Sequence, residues 1–202
     1  MVEAHQEQNS MGVMQDKIQH TLQQYDAAVA ACRQIFLDKS RDYGTSWRVL
    51  RPVSIVDQIF IKAQRIRNIQ ELGVQKIDEQ IDNEFKGIVN YGIIALIQLG
   101  IKADAAWELS VDETAALYDR EILQIRALMQ DKNHDYGEAW RSMSQESFVD
   151  LILMKLLRIR QILQHEGKTI VSEGIDANFT DIVNYAIFAL IRISEMSKNP
   201  PA

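Results

Sequence analysis

Apolar residues recur along most of the chain at intervals of three and four, the period of a helix turning one face to a core. Almost no stretch alternates with the period of two expected of a half-buried strand. The pattern predicts an all-α protein. Helices are expected at about 15–39, 55–72 and 82–99, then from Ser110 to Gly137, through 148–160, and at about 176–194. Ser110 and Glu113 read as a capping box, in which the two side chains satisfy backbone N–H groups left free by a first turn. Gly44 and Gly137 stop the helices before them. Ser54, just after Pro52, is the expected N-cap of the second helix, and Ser147 is its later match. Helices joined by loops this short pack as a bundle.

The same unit occurs twice. The frame K-x-x-D-Y-G-x-x-W-R spans Lys39 to Arg48 and again Lys132 to Arg141, at an offset of 93 residues. The match reaches back to Tyr25 and Asp26 against Tyr118 and Asp119. It runs forward through Asp57, Lys62, Arg65 and Arg67 against Asp150, Lys155, Arg158 and Arg160. After one inserted residue it resumes at offset 94, with Asn90 and Tyr91 against Asn184 and Tyr185. A tandem duplication of about 75 residues has too few copies for a solenoid. The expected organisation is a disordered tail over 1–14, a first unit over 15–100, a linker over 101–110, a second unit over 111–195 and a disordered tail over 196–202.

Charges sit where apolar helices should exclude them. Between Phe148 and Arg160 apolar residues cover every face, so Asp150, Lys155 and Arg158 need partners within the bundle, as do Asp57, Lys62 and Arg65. At 100° per residue each trio fans over a little more than a third of its helix, which lets it face one pocket. Asp181 and Asn184 lie three residues apart on another apolar helix, an oxygen pair able to grip a cation. In the first unit Gly87 stands where Asp181 does, leaving Asn90 and, one turn earlier, Glu84. Carboxylates with amides suit Mg²⁺ or Mn²⁺, and no Cys/His cluster points to zinc. The repeated turn adds aromatics, Tyr43 and Trp47 or Tyr136 and Trp140, suited to stacking on a base, with Asp42 or Asp135 beside them. Each set also has a packing interpretation: a salt-bridge network fixing helix register, an interhelical polar contact, and buried rings. Taken together, acids, cations and aromatics are the inventory of a metal–nucleotide site.

Composition narrows the partners. Among 202 residues, 22 are basic and 28 acidic, and no block of Lys/Arg concentrates the positive charge that a nucleic acid duplex requires. Cys32 is the only cysteine, so no intrachain disulfide forms. The opening residues carry no basic stretch followed by an apolar one, and the longest apolar run, 88–101, is shorter than the roughly 20 residues of a bilayer span. A cytoplasmic protein without a membrane partner is expected.

The frame K-x-x-D-Y-G-x-x-W, followed by a K-x-x-R helix and a D-x-x-N-Y helix, resembles the nucleotide modification associated domain 1 family, formerly domain of unknown function 1599. That family is similar in turn to the MazG-type all-α nucleoside triphosphate pyrophosphatases, helical bundles that commonly dimerise. The resemblance implies a MazG-like unit duplicated into a pseudo-dimeric bundle, present as a monomeric pseudo-dimer or a homodimer. It also implies a Mg²⁺- or Mn²⁺-dependent pyrophosphohydrolase acting on a nucleotide. Metal would fall to Asp150, Asp181 and Asn184, or to Asp57, Glu84 and Asn90. Phosphates would fall to Lys155, Arg158 and Lys132, or to Lys62, Arg65 and Lys39. The base would fall to Asp135, Tyr136 and Trp140, or to Asp42, Tyr43 and Trp47. Lys and Arg stand on the second helix where those enzymes carry further glutamates, which leaves a non-catalytic nucleotide-binding module as the alternative.

Overall fold

Six α-helices account for nearly all of the regular structure: α1 (Val2–Tyr43), α2 (Pro52–Leu72), α3 (Ile81–Gly100), α4 (Val111–Tyr136), α5 (Gln145–Gln164) and α6 (Ile175–Lys198). The computed structural model describes residues 2–74, 80–102, 104–165 and 173–198, with side chains from residue 15 onward, and no strand occurs among them. The helix starts follow from local chemistry. Ser110 Oγ accepts the Glu113 N–H at 3.2 Å while Glu113 returns a bond to the Ser110 N–H at 2.8 Å, the expected capping box. Two caps lie a turn earlier than Ser54 and Ser147. Pro52 opens α2 behind Arg51, because proline's fixed φ and missing N–H suit a first helical position. Ser144 caps α5 by accepting the Ser147 N–H at 3.2 Å. Helix α1 takes in residues expected as a tail, and α6 runs three residues past the expected second unit.

Gly44 and Gly137 end α1 and α4 at φ +60° and +61°, a left-handed conformation that costs glycine nothing. Each turn leads into a short 3₁₀ turn, Ser46–Val49 or Ala139–Ser142, carrying the repeated tryptophan and arginine.

Helices α2 and α3 form an antiparallel hairpin, as do α5 and α6. The two hairpins meet through α3 against α6 and α2 against α5, while α1 and α4 lie against each other and across α3 and α6. Ile88, Phe85 and Ile97 of one hairpin and Phe179, Ile182 and Ile187 of the other are fully buried in one continuous core. At the α3–α6 crossing a Cβ on Gly92 would stand 2.5 Å from Val183 Cγ2, so the absent side chain is what lets the helices approach.

The contacts between units are reciprocal. Tyr25 donates to Asn184 at 2.9 Å, and Tyr118 donates to Asn90 at 3.0 Å. Arg33 binds Asp119 at 2.6 Å, and Arg126 binds Asp26 at 2.7 Å. Arg160 binds Asp57 at 2.8 Å, and Arg67 faces Asp150 at 3.7 Å. Within each couple the second contact is the first with the copies exchanged. That is the signature of an isologous twofold interface, here closed inside one chain. The tandem duplication is therefore a pseudo-dimer.

Candidate functional site

The repeated turn, α2 and α3 enclose a cleft in the first unit with a volume of about 470 Å³. Lys39 reaches it from α1, Lys62 from α2 and Lys86 from α3, while Tyr43, Trp47 and Tyr91 supply aromatic walls. No carboxylate lines it among the described residues. Lys62 donates to Glu84 at 3.1 Å, Arg65 shares that buried carboxylate, and Lys86 pairs with Asp82 at 2.7 Å. Lys39 is exposed and has no partner among the described residues. Trp47 has a buried indole N–H with no acceptor among the described residues. Gly87 forms part of the floor, where the Lys62 stem passes so close that a Cβ would lie 2.7 Å from its Cε.

The equivalent place in the second unit is built differently. Asp181, at the position of Gly87, receives Lys132 at 2.7 Å on one oxygen and Lys155 at 2.5 Å on the other. Burial by itself would raise the Asp181 pKa, but the two lysines outweigh it and hold the carboxyl below the usual aspartate value. Burial pulls the Lys132 pKa down, while the bond to Asp181, its charge and the nearby Tyr185 and Glu173 together outweigh that and leave it raised. Trp140 is buried, donates to Asn133 at 3.2 Å, and stacks on Phe188 with ring centroids 4.3 Å apart and planes 4° apart.

The structure brings some of the expected site residues together and separates others. Lys39 and Lys62 meet at one cleft with Tyr43, Trp47 and Asn90. Asn90 and Asn184 each accept a tyrosine hydroxyl from the other unit, and Asn90 also donates to the Cys32 carbonyl at 3.0 Å. Asp57 and Asp150 lie on the outer side of the α2–α5 contact, bound to Arg160 and Arg67, and do not join Asp181 or Glu84. The expected fan from Asp57 through Lys62 to Arg65 is thereby split between two faces. Arg158, Asp42 and Asp135 are exposed, the last beside His134 at 3.1 Å, and Tyr136 is 73% exposed. The arginines of the turn bind protein groups: Arg48 the Ala106 carbonyl, and Arg141 Glu138, Gln24 and Glu195.

Sequence reasoning missed Gly87, Lys86, Ile94 and Ser40 as cleft residues, and Phe188 and Asn133 as the counterparts of Ile94 and Ser40. The signal was present in the positions where the repeats differ. A second cavity of about 420 Å³ between α1, α3 and α6 has Asp82 and Glu195 beside Lys86 and Lys198, a balanced charge without aromatics.

A lysine-lined cleft within a duplicated helical hairpin defines an all-α tandem pseudo-dimer with one open and one internally bridged pocket. The chain belongs to the family described as nucleotide modification associated domain 1, which matches residues 39–99 and 132–193, once in each unit. No curated protein and no solved structure matches the chain. No helix among the described residues is long and apolar enough to cross a membrane.

Proposed function

We propose that the chain is a nucleotide-binding module whose site is the cleft of the first unit. The observation that carries this reading is the convergence of Lys39, Lys62 and Lys86 with Tyr43 and Trp47 around one cavity without a carboxylate in its lining. Cations that converge on a cavity favour an anion, and flat rings beside them favour a base. The family's description, which associates the domain with nucleotide modification, agrees with that ligand class.

The MazG-like, Mg²⁺-dependent pyrophosphohydrolase is the second reading, carried by the resemblance of the D-x-x-N-Y helix. It asks for carboxylates that converge, and no group of three or more His, Cys, Asp or Glu does so among the described residues. At Asp181 a divalent cation would sit against two ammonium groups. The donor set does not fit Mg²⁺ or Mn²⁺.

Calorimetric titration of the full chain with a panel of nucleoside mono- and triphosphates tests both readings, with pyrophosphate release measured on the same panel with Mg²⁺, Mn²⁺ or chelator. Binding that weakens at least tenfold in Lys39→Ala, without turnover, is the expected result. Lys39 pairs with no other described residue, so its loss should leave the fold intact. Absence of binding across the panel would sink the module. Metal-dependent pyrophosphate release abolished by Asp181→Ala would establish the enzyme instead.

A further inference from the structure

Two copies of one unit, folded alike, differ at the positions that decide whether the pocket is open. Gly87 corresponds to Asp181, Ile94 to Phe188, and Ser40 to Asn133. In the second unit a carboxylate bridges the lysines equivalent to Lys39 and Lys62, a ring stacks on the tryptophan equivalent to Trp47, and an amide oxygen takes its indole N–H. In the first unit the same lysines, the same tryptophan and Ile94 line the open cleft. There Trp47 has no acceptor among the described residues, and Ser40 donates its hydroxyl to the Phe36 carbonyl at 2.9 Å.

We infer that the second unit carries an internal stand-in for the ligand of the first: the Asp181 carboxylate takes the place of a ligand's anionic group, and the Phe188 ring takes the place of its flat ring. The inference rests on the nucleotide reading and adds geometry to it. Asp181 and Phe188 are seven residues apart on α6, which separates the two groups by about 10 Å along the helix axis. A ring bearing a directly attached carboxylate is too short to match that spacing. A nucleoside polyphosphate, with its terminal phosphate between Lys39 and Lys62 and its base on Trp47, spans it.

The test exchanges the differences. Gly87→Asp with Ile94→Phe gives the first unit the second unit's filling. The Cβ at 87 meets only the far end of the flexible Lys62 side chain, which can swing toward the new carboxylate. Asp181→Gly with Phe188→Ile empties the second unit. Calorimetry with ATP, GTP, CTP and dTTP should give one equivalent bound by the wild type, a loss of at least a hundredfold in affinity in the filled variant, and two equivalents in the emptied one. One equivalent in the wild type with unchanged affinity in the filled variant overturns the inference while the binding module stands. No binding by the wild type overturns the module and, with it, the inference that rests on it. Should the emptied variant fail to fold, the filled variant alone decides.

Discussion

At the residue scale, the behaviour of Asp181 with pH follows from its two lysines. Its folded pKa is held below the unfolded value near 4, so its stabilising effect is complete above that value and is lost as pH falls through the folded pKa. Lys132 works from the other side. Its folded pKa lies above the unfolded value of about 10.4, so its effect is complete below that pH and is lost as pH rises through the folded value. Replacing Asp181 by Asn leaves the buried Lys155 ammonium uncompensated, a change that costs about 3 kcal/mol or more when one partner of a buried pair is removed. Urea unfolding of wild type and Asp181→Asn should therefore show a stability gap that is flat from about pH 5 to 9 and narrows below about pH 4. A gap that persists undiminished at pH 2 would mean that the lysines do not hold the carboxylate. Nearby, burial pushes the Cys32 thiol up to about 12, which agrees with its place in the core rather than in any chemistry.

At the scale of helices, the sequence and the structure agree where one local rule decides and part where a neighbour decides. The capping box at Ser110, the glycine stops at Gly44 and Gly137, and the helical period were legible because each depends on residues within one or two turns. The facing of α2 and α5 was not. Periodicity gives the angle between Asp57 and Lys62, but it cannot say that α5 would bring Arg160 to Asp57 while α3 brought Glu84 to Lys62. The candidate site was half legible for the same reason. The shared frame pointed to lysines and aromatics that meet at one cleft, yet the open pocket was fixed by what the frame does not share, a glycine and an isoleucine. Asp181, expected at a metal, is bound by Lys132 and Lys155. The ends and faces of α4 give a graded test. Ser110→Ala removes a cap and should cost about 1 kcal/mol. Arg126→Ala removes one exposed ion pair with Asp26 and should cost less than about 1 kcal/mol. Chemical denaturation of the two variants checks the order, and a larger loss for Arg126→Ala would show that the inter-unit arginines carry more of the fold than their exposure implies.

For the whole molecule, the reciprocal contacts say what each half should do alone. Each of these reciprocal pairs joins residue types that both units possess, so a second copy of either unit can supply the partner that fusion supplies now. In a homodimer of the second unit, Tyr118 would meet Asn184 of the other copy, Asp119 would meet Arg126, and Asp150 would meet Arg160. Each is a pair of the kind seen between the fused units. A lone unit, by contrast, would expose the buried α3–α6 face and leave a fully buried tyrosine and an asparagine without partners. Residues 108–198 expressed alone should therefore sediment as a dimer and lose helicity on dilution, since folding and association become one equilibrium. The first unit should dimerise as well, because Phe85 and Val89 stand where Phe179 and Val183 do and Gly92 keeps the close approach at the crossing. A stable helical monomer of either half in sedimentation equilibrium would contradict the twofold logic. Fusion then has a physical role of its own: it pairs a unit whose pocket is open with one whose lysines are bridged by Asp181, across a seam that each unit can also form with a second copy of itself.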